Sequence, residues 1–98
     1  MSFFKKRNQF ARRVDKNHAE IKEVFKKAGW SVFDTKNIGQ GFPDLIVGKH
    51  GSTFLVEIKT PTGKLTTPQR EFMLNWKGGA VVILRTVEEA LNFIKAVA

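Results

Sequence analysis

The stretch Gly41–Lys59, GFPDLIVGKHGSTFLVEIK, constrains this chain more than any other. Two short apolar runs, Leu45 to Val47 and Thr53 to Lys59, flank Gly48, Lys49, His50 and Gly51, the arrangement of a β-hairpin with a tight turn. Side chains alternate along a strand, so Leu55, Glu57 and Lys59 share one face while Phe54, Val56 and Ile58 share the other. With residues 49 to 52 as the loop, Gly48 pairs with Thr53, Val47 with Phe54, Leu45 with Val56 and Asp44 with Glu57. That register gathers Val47, Phe54, Leu45 and Val56 on a core face and sets two carboxylates opposite each other. Like charges directly opposed destabilise a sheet by roughly 0.2–1 kcal/mol. The register therefore asks for a cation between Asp44 and Glu57, and Lys59 or a divalent metal would serve.

The rest of the chain supplies the frame. Ile21, Val24, Phe25 and Ala28 recur at helical spacing and predict a helix over about residues 15–28, ended by Gly29; Phe10 and Val14 allow an earlier start. Trp30 to Phe33 alternates as a strand, Lys36 to Gly41 reads as a loop, and Pro43 suits the start of the next strand. Pro61, Thr62 and Gly63 break the chain. Thr67 before Pro68 is the expected cap of a helix that buries Phe72, Met73 and Trp76 and stops at Gly78-Gly79. Ala80 to Leu84 is an unbroken apolar run, as for a strand buried on both faces. Thr86 to Glu89 forms a capping box, and Val87, Ala90, Leu91 and Ile94 continue as a terminal helix. The order is α-β-β-β-α-β-α, an α/β fold with a mixed central sheet flanked by helices. Trp30 and Trp76 are expected in the core, although an exposed tryptophan could stack on an unpaired base, and His18 and His50 are expected on the surface.

Ninety-eight residues suffice for one domain, here residues 14–98, preceded by a basic arm or helix extension over residues 1–13. Lysine and arginine number 17 against 9 acids, a net charge of +8, and Lys5, Lys6, Arg7, Arg12 and Arg13 precede the first acid, Asp15. Such a balance favours a polyanionic partner, because neutralising phosphates releases condensed counterions. A membrane surface is the competing reading, with Phe3 and Phe4 beside the basic cluster. No apolar run approaches the roughly 20 residues of a membrane span, and the N-terminus lacks a secretory core, so a cytoplasmic protein is expected. The absence of cysteine excludes a disulfide framework and a thiolate zinc site, and two histidines are too few for a histidine cage.

Two carboxylates, a carbonyl oxygen and water suit a hard ion such as Mg²⁺ or Mn²⁺. Lys59 beside them could orient a water or neutralise a phosphate. Metal-assisted phosphodiester hydrolysis needs that set of parts. A lone Glu-x-Lys is an ordinary surface salt bridge; the weight lies in the combination. Pro43-Asp44 followed by Glu57-Ile58-Lys59 resembles the PD-(D/E)xK nuclease superfamily, and the whole arrangement is similar to its small phage-borne branch, the virus-type replication-repair nucleases (VRR-NUC). The matching residues run from about Val14 to the C-terminus: DKNHAEI at Asp15–Ile21, GFPDLIVG at Gly41–Gly48, LVEIK at Leu55–Lys59, Lys64-Leu65-Thr66 with Gln69, and VEEAL at Val87–Leu91.

The resemblance implies an α-β-β-β-α-β core, with Mg²⁺ or Mn²⁺ on Asp44, Glu57 and the Ile58 carbonyl and with Lys59 catalytic. It also implies a helix-one glutamate, best matched by Glu20 with Glu23 as the alternative, and a glutamine matched by Gln69. Gln69 has a local explanation too, a hydrogen bond within its own helix start. Members resembling this chain are structure-selective DNA endonucleases, some of which resolve four-way Holliday junctions as homodimers. For a phage protein that means DNA replication, recombination or repair in the host cytoplasm. Lys5, Lys6, Arg7, Arg12, Arg13, Lys36, Gln40 and Lys64 are the expected DNA contacts. Gly39-Gln40-Gly41 would let the backbone approach DNA or open Asp44 to solvent. The rival class is a non-catalytic nucleic-acid-binding module on the same fold, and the joint presence of Asp44, Glu57 and Lys59 argues against it.

Overall fold

The computed structural model describes residues 2–98, and side chains from Ala11 onward. The elements are α1 (Ser2–Lys27), β1 (Ser31–Asp34), β2 (Leu45–Lys49), β3 (Ser52–Ile58), α2 (Thr67–Asn75), β4 (Val82–Leu84) and α3 (Val87–Val97). They form a four-stranded sheet of order β1-β2-β3-β4, in which β1, β2 and β3 are antiparallel neighbours and β4 joins β3 in parallel through the α2 crossover. The α-β-β-β-α-β-α order and the mixed sheet are those expected from the sequence.

α1 begins well before Asp15 and continues through the basic stretch without a break. Its inward stripe is His18, Ile21 and Phe25, and Ile21 and Phe25 are fully buried. The helix ends in a Schellman motif. Gly29 adopts φ 83°, its amide donates to the Lys26 carbonyl at 3.0 Å, and the Trp30 amide reaches back to the Phe25 carbonyl at 3.0 Å. The Phe25 and Trp30 rings then meet edge to face at 5.4 Å. Lys49 from the hairpin adds a second cap, its Nζ donating to the Ala28 carbonyl at 2.6 Å.

The hairpin register is Leu45–Val56, Val47–Phe54 and Gly48–Thr53, and pairing continues to Lys49–Ser52. The loop is therefore shorter than the expected four residues: only His50 (φ 53°) and Gly51 (φ 80°) lie outside the ladder. Positive φ at both positions is the requirement of a type I′ turn, whose twist matches that of the strands. One face of the sheet receives α1 and α3. Ile21, Phe25, Trp30, Leu45, Val47, Val56, Ile58, Leu84 and Ala90 form the core there, with Phe54 and Phe93 packed against it.

Five local expectations need correction. The cap of α2 is Thr66 rather than Thr67, because only Thr66 receives the Gln69 amide on its side chain. α2 buries no residue completely, and Trp76 is 43% exposed; the helix packs through its own Phe72 against Phe42 instead of entering the core. β4 is an edge strand with only β3 as neighbour, so Val82 and Ile83 are half-buried and Ala80 is exposed. In α3 the Thr86 side chain caps the Glu89 amide, but the Glu89 carboxylate takes the Arg85 amide at 2.7 Å, one residue before the expected partner. Leu91 faces outward, and Phe93 takes its place in the stripe.

Candidate active site

One step beyond the Leu45–Val56 pair, the hairpin carries Asp44 and Glu57 at its open end. The Asp44 backbone is held from both sides: its amide donates to the Val56 carbonyl at 2.9 Å, and its carbonyl accepts from the Thr35 amide at 2.8 Å. The Asp44 side chain crosses to β3, where Oδ2 accepts from the Ile58 amide at 2.8 Å. The rigid antiparallel ladder thus fixes where this carboxylate points.

Glu57 is 1% exposed. Its Oε2 accepts from Gln69 Nε2 at 3.2 Å and lies 3.6 Å from Lys59 Nζ. Its Oε1 is buried and has no hydrogen-bond partner among the described residues. Burial, and after it the negative charge of Asp44, push the Glu57 carboxyl up to about 8, while Lys59 pulls in the opposite direction. A buried carboxylate with a bare oxygen, facing a second carboxylate, is an arrangement that a cation completes. The donor set is entirely oxygen and fits Mg²⁺ or Mn²⁺, which Asp44, Glu57 and the Ile58 carbonyl would hold.

Gln69 owes its place to the start of α2. Its amide oxygen accepts from the Thr66 amide at 2.9 Å, completing a capping box, and this turns Nε2 toward Glu57. The local hydrogen bond and the site contact coexist in one side chain. Gly41 permits this arrangement, since at φ 79° it lies so close to α2 that a Cβ would collide with the Pro68 carbonyl.

A recess of about 200 Å³ opens here, with Asp44, Glu57, Ile58, Lys59 and Gln69 on its sheet and α2 sides and Val14, Asn17 and His18 on its α1 side. Glu20 lies outside it. Its side chain is 48% exposed, pairs with Lys16 at 3.8 Å and borders a separate surface hollow with Arg13 and Thr62. Glu23 is exposed as well. The inward place belongs to Asn17, whose Nδ2 donates to the carbonyls of Lys59 (2.8 Å) and Arg85 (3.2 Å). Successive helical residues differ by about 100° in direction, so Asn17, one turn before Ile21, faces in where Glu20 does not. Among the described residues no group of three or more His, Asp or Glu side chains gathers for a metal.

His18 is 8% exposed rather than a surface residue. Its Nε2 donates to Asp34 Oδ2 at 3.0 Å, and Lys22 Nζ donates to the same oxygen at 3.1 Å. Burial raises the Asp34 carboxyl, but the Lys36 amide, His18 and Lys22 outweigh it and hold the group well below the usual carboxylate range. Arg85 was not foreseen either; its Nη1 donates to the carbonyls of Thr60 (2.8 Å) and Gly63 (2.6 Å) and orders the segment after Lys59. The sequence signal for Asn17 and His18 was available, since both are polar residues on an otherwise apolar stripe.

Arg12, Arg13, Lys36, Gln40 and Lys64 are exposed. The side chains of Lys5, Lys6 and Arg7, like those of Phe3, Phe4 and Phe10, lie outside the described residues. Among the described residues no helix is long and apolar enough to cross a membrane. No curated protein matches the chain. The VRR-NUC domain family does match, over residues 2–87, taking in α1, the hairpin with both carboxylates, Lys59, Gln69 and β4. This chain belongs to the VRR-NUC family, nucleases of the PD-(D/E)xK type whose substrate is DNA.

Proposed function

We propose that this chain is a metal-dependent, structure-selective DNA endonuclease that hydrolyses phosphodiester bonds in branched DNA such as four-way junctions. The observation that carries this reading is the pairing of Asp44 with a buried Glu57 whose Oε1 has no partner among the described residues, beside the ammonium of Lys59. A bound divalent ion would supply Lewis-acid polarisation of the phosphate and a more acidic water. Asp44 and Glu57 would hold that ion together with the Ile58 carbonyl. Lys59, 14% exposed at its side chain, offers a fixed cation to charge developing on the phosphate oxygens. Gln69 orients Glu57, and Asn17 fixes the Lys59 backbone, so the acid and the cation keep their relative placement. Arg12, Arg13, Lys36 and Lys64 supply exposed charge for phosphate contacts.

A homodimer fits this reading. The sheet face turned away from α1 and α3 bears Phe33, 69% exposed, with half-buried Ile46 and Leu55 beside it. An apolar face of this kind suits a second copy, and a two-fold axis would present two sites to the two strands of a junction. The corresponding role is phage DNA replication, recombination or repair in the host cytoplasm.

The test is incubation with matched four-way, flap and linear duplex DNAs in Mg²⁺, Mn²⁺ or EDTA, with the products mapped. Paired cuts across the junction, dependent on metal and absent from the linear duplex, are expected. Tight binding without cleavage in either metal would establish the non-catalytic module instead.

A further inference from the structure

We infer that the groove between the Gly39–Gly41 loop and α2 is a subsite for an unpaired nucleobase of the DNA, a statement that rests on the nucleic-acid reading above. The groove measures about 470 Å³ and is lined by Gln40, Pro68, Glu71, Phe72, Asn75 and Trp76. That size lies within the roughly 300–1,000 Å³ of small-molecule sites.

Its floor is aromatic. Phe72 and Trp76 lie nearly parallel, 18° apart with centroids at 5.4 Å, and Phe42 buttresses Phe72 edge-on at 5.3 Å. Trp76 nevertheless stays 43% exposed, although a side chain of this size ordinarily contributes most by burial. An exposed indole supported from behind is a platform on which a base can stack.

The rim decides between a base and the phosphate backbone. Glu71 is the one charged residue lining the groove among the described residues, and it repels phosphate. Its carboxylate, with the side-chain amides of Gln40 and Asn75, complements the amino and carbonyl groups along a base edge. The loop wall is held in an unusual shape: Gly39, Gln40 and Gly41 have φ of 80°, 57° and 79° in succession. Gln40 is a non-glycine residue in the left-handed region, and such strain persists only where the surroundings enforce it. Here Gly41, lying against the Pro68 backbone, does so.

Pro68 precedes Gln69, which donates to Glu57, so the base slot and the hydrogen-bond partner of Glu57 share one turn of α2. A base can enter the slot only after leaving its stack, which is cheapest at a branch, bulge or end. The groove would thereby make unpaired structure a condition of tight binding.

The experiment measures binding of the full chain in EDTA, which separates this inference from cleavage. The probes are a fully paired duplex and the same duplex with one bulged 2-aminopurine. Trp76→Ala should weaken binding of the bulged DNA by about 5- to 150-fold, the effect of losing one base–aromatic stack, and leave the paired duplex almost unchanged. Trp76→Phe should retain most of the affinity. In the wild type, 2-aminopurine emission should be quenched on binding. Equal losses on both DNAs, no loss on either, or an unquenched probe would overturn the inference. So would conversion of a dimer to a monomer by Trp76→Ala in sedimentation, because the groove would then be an interface between copies. If Trp76→Ala does not fold, the wild-type quenching decides. A wild type that selects the bulged DNA but cuts nothing rejects the nuclease reading and leaves this one standing.

Discussion

Replacing Glu57 with Gln should stabilise the metal-free protein at alkaline pH and change little at pH 5. The ordinary value for this carboxyl is 4.5, and burial followed by the charge of Asp44 raises it to about 8 in the fold. A raised folded value means that the native state holds the proton more tightly than the unfolded chain does. Stability is therefore fully present below about 4.5, falls as pH rises through the window, and levels off above about 8. At about 1.4 kcal/mol for each pK unit, the upper bound is several kcal/mol, set against a total of about 5–15 kcal/mol for a domain of this kind. One kcal/mol moves the melting temperature of such a domain by about 4–8 °C, so realising half of that bound separates the two proteins by about ten degrees or more at pH 8.5. The substituted amide would keep an acceptor for Gln69 and remove the charge. Metal reverses the order: an ion at 100 times its Kd adds about 2.7 kcal/mol to the wild type, or about 10–20 °C, and adds little to the variant. Melting curves from pH 5 to 9, in EDTA and in Mn²⁺, read both effects. Parallel pH profiles for the two proteins, or an equal gain from Mn²⁺, would refute the reasoning.

Lys59→Ala should keep the metal-induced rise in melting temperature and lower the single-turnover cleavage rate by roughly 10²–10³, as for loss of a donor to transition-state charge; a change in affinity alone would make Lys59 a phosphate clamp. Asn17→Ala leaves the Lys59 and Arg85 carbonyls without their shared donor and should cost about 1–3 kcal/mol in chemical denaturation, with slower cleavage; an unchanged midpoint would show that Asn17 does not brace the site. Gly41→Ala should displace the loop from Pro68 and reduce cleavage, whereas Gly39→Ala, with open space around its Cβ, should affect stability through backbone strain but not through collision; equal cleavage by the two variants contradicts this. Removing residues 1–13 should lower the slope of log K against log[salt] by about 0.9 for each phosphate that the stretch neutralises, and an unaltered slope in a folded protein would show that this stretch does not touch DNA.

The hairpin, its register and the opposition of Asp44 to Glu57 were legible because each follows from a period of two and a tight turn, both properties of neighbouring residues. The stop at Gly29 and the α-β-β-β-α-β-α order were legible for the same reason. Where two local solutions are nearly equal, the chain alone did not choose. Thr66 and Thr67 are both good caps, and Thr66 prevails because Gln69 then completes the box while reaching Glu57. Glu20 and Asn17 differ by less than one helical turn, and the rotation of α1 against the sheet gives the inward place to Asn17, where two carbonyls await a donor. His18 is buried because Asp34, on another element, accepts from it. β4 and Trp76 remain partly exposed because the sheet order leaves β4 at an edge and α2 outside the core. Sequence determined what each segment is and which acids face each other. Tertiary structure decided which polar groups are buried together, because hydrogen bonds and desolvation act between segments whose meeting no local pattern records.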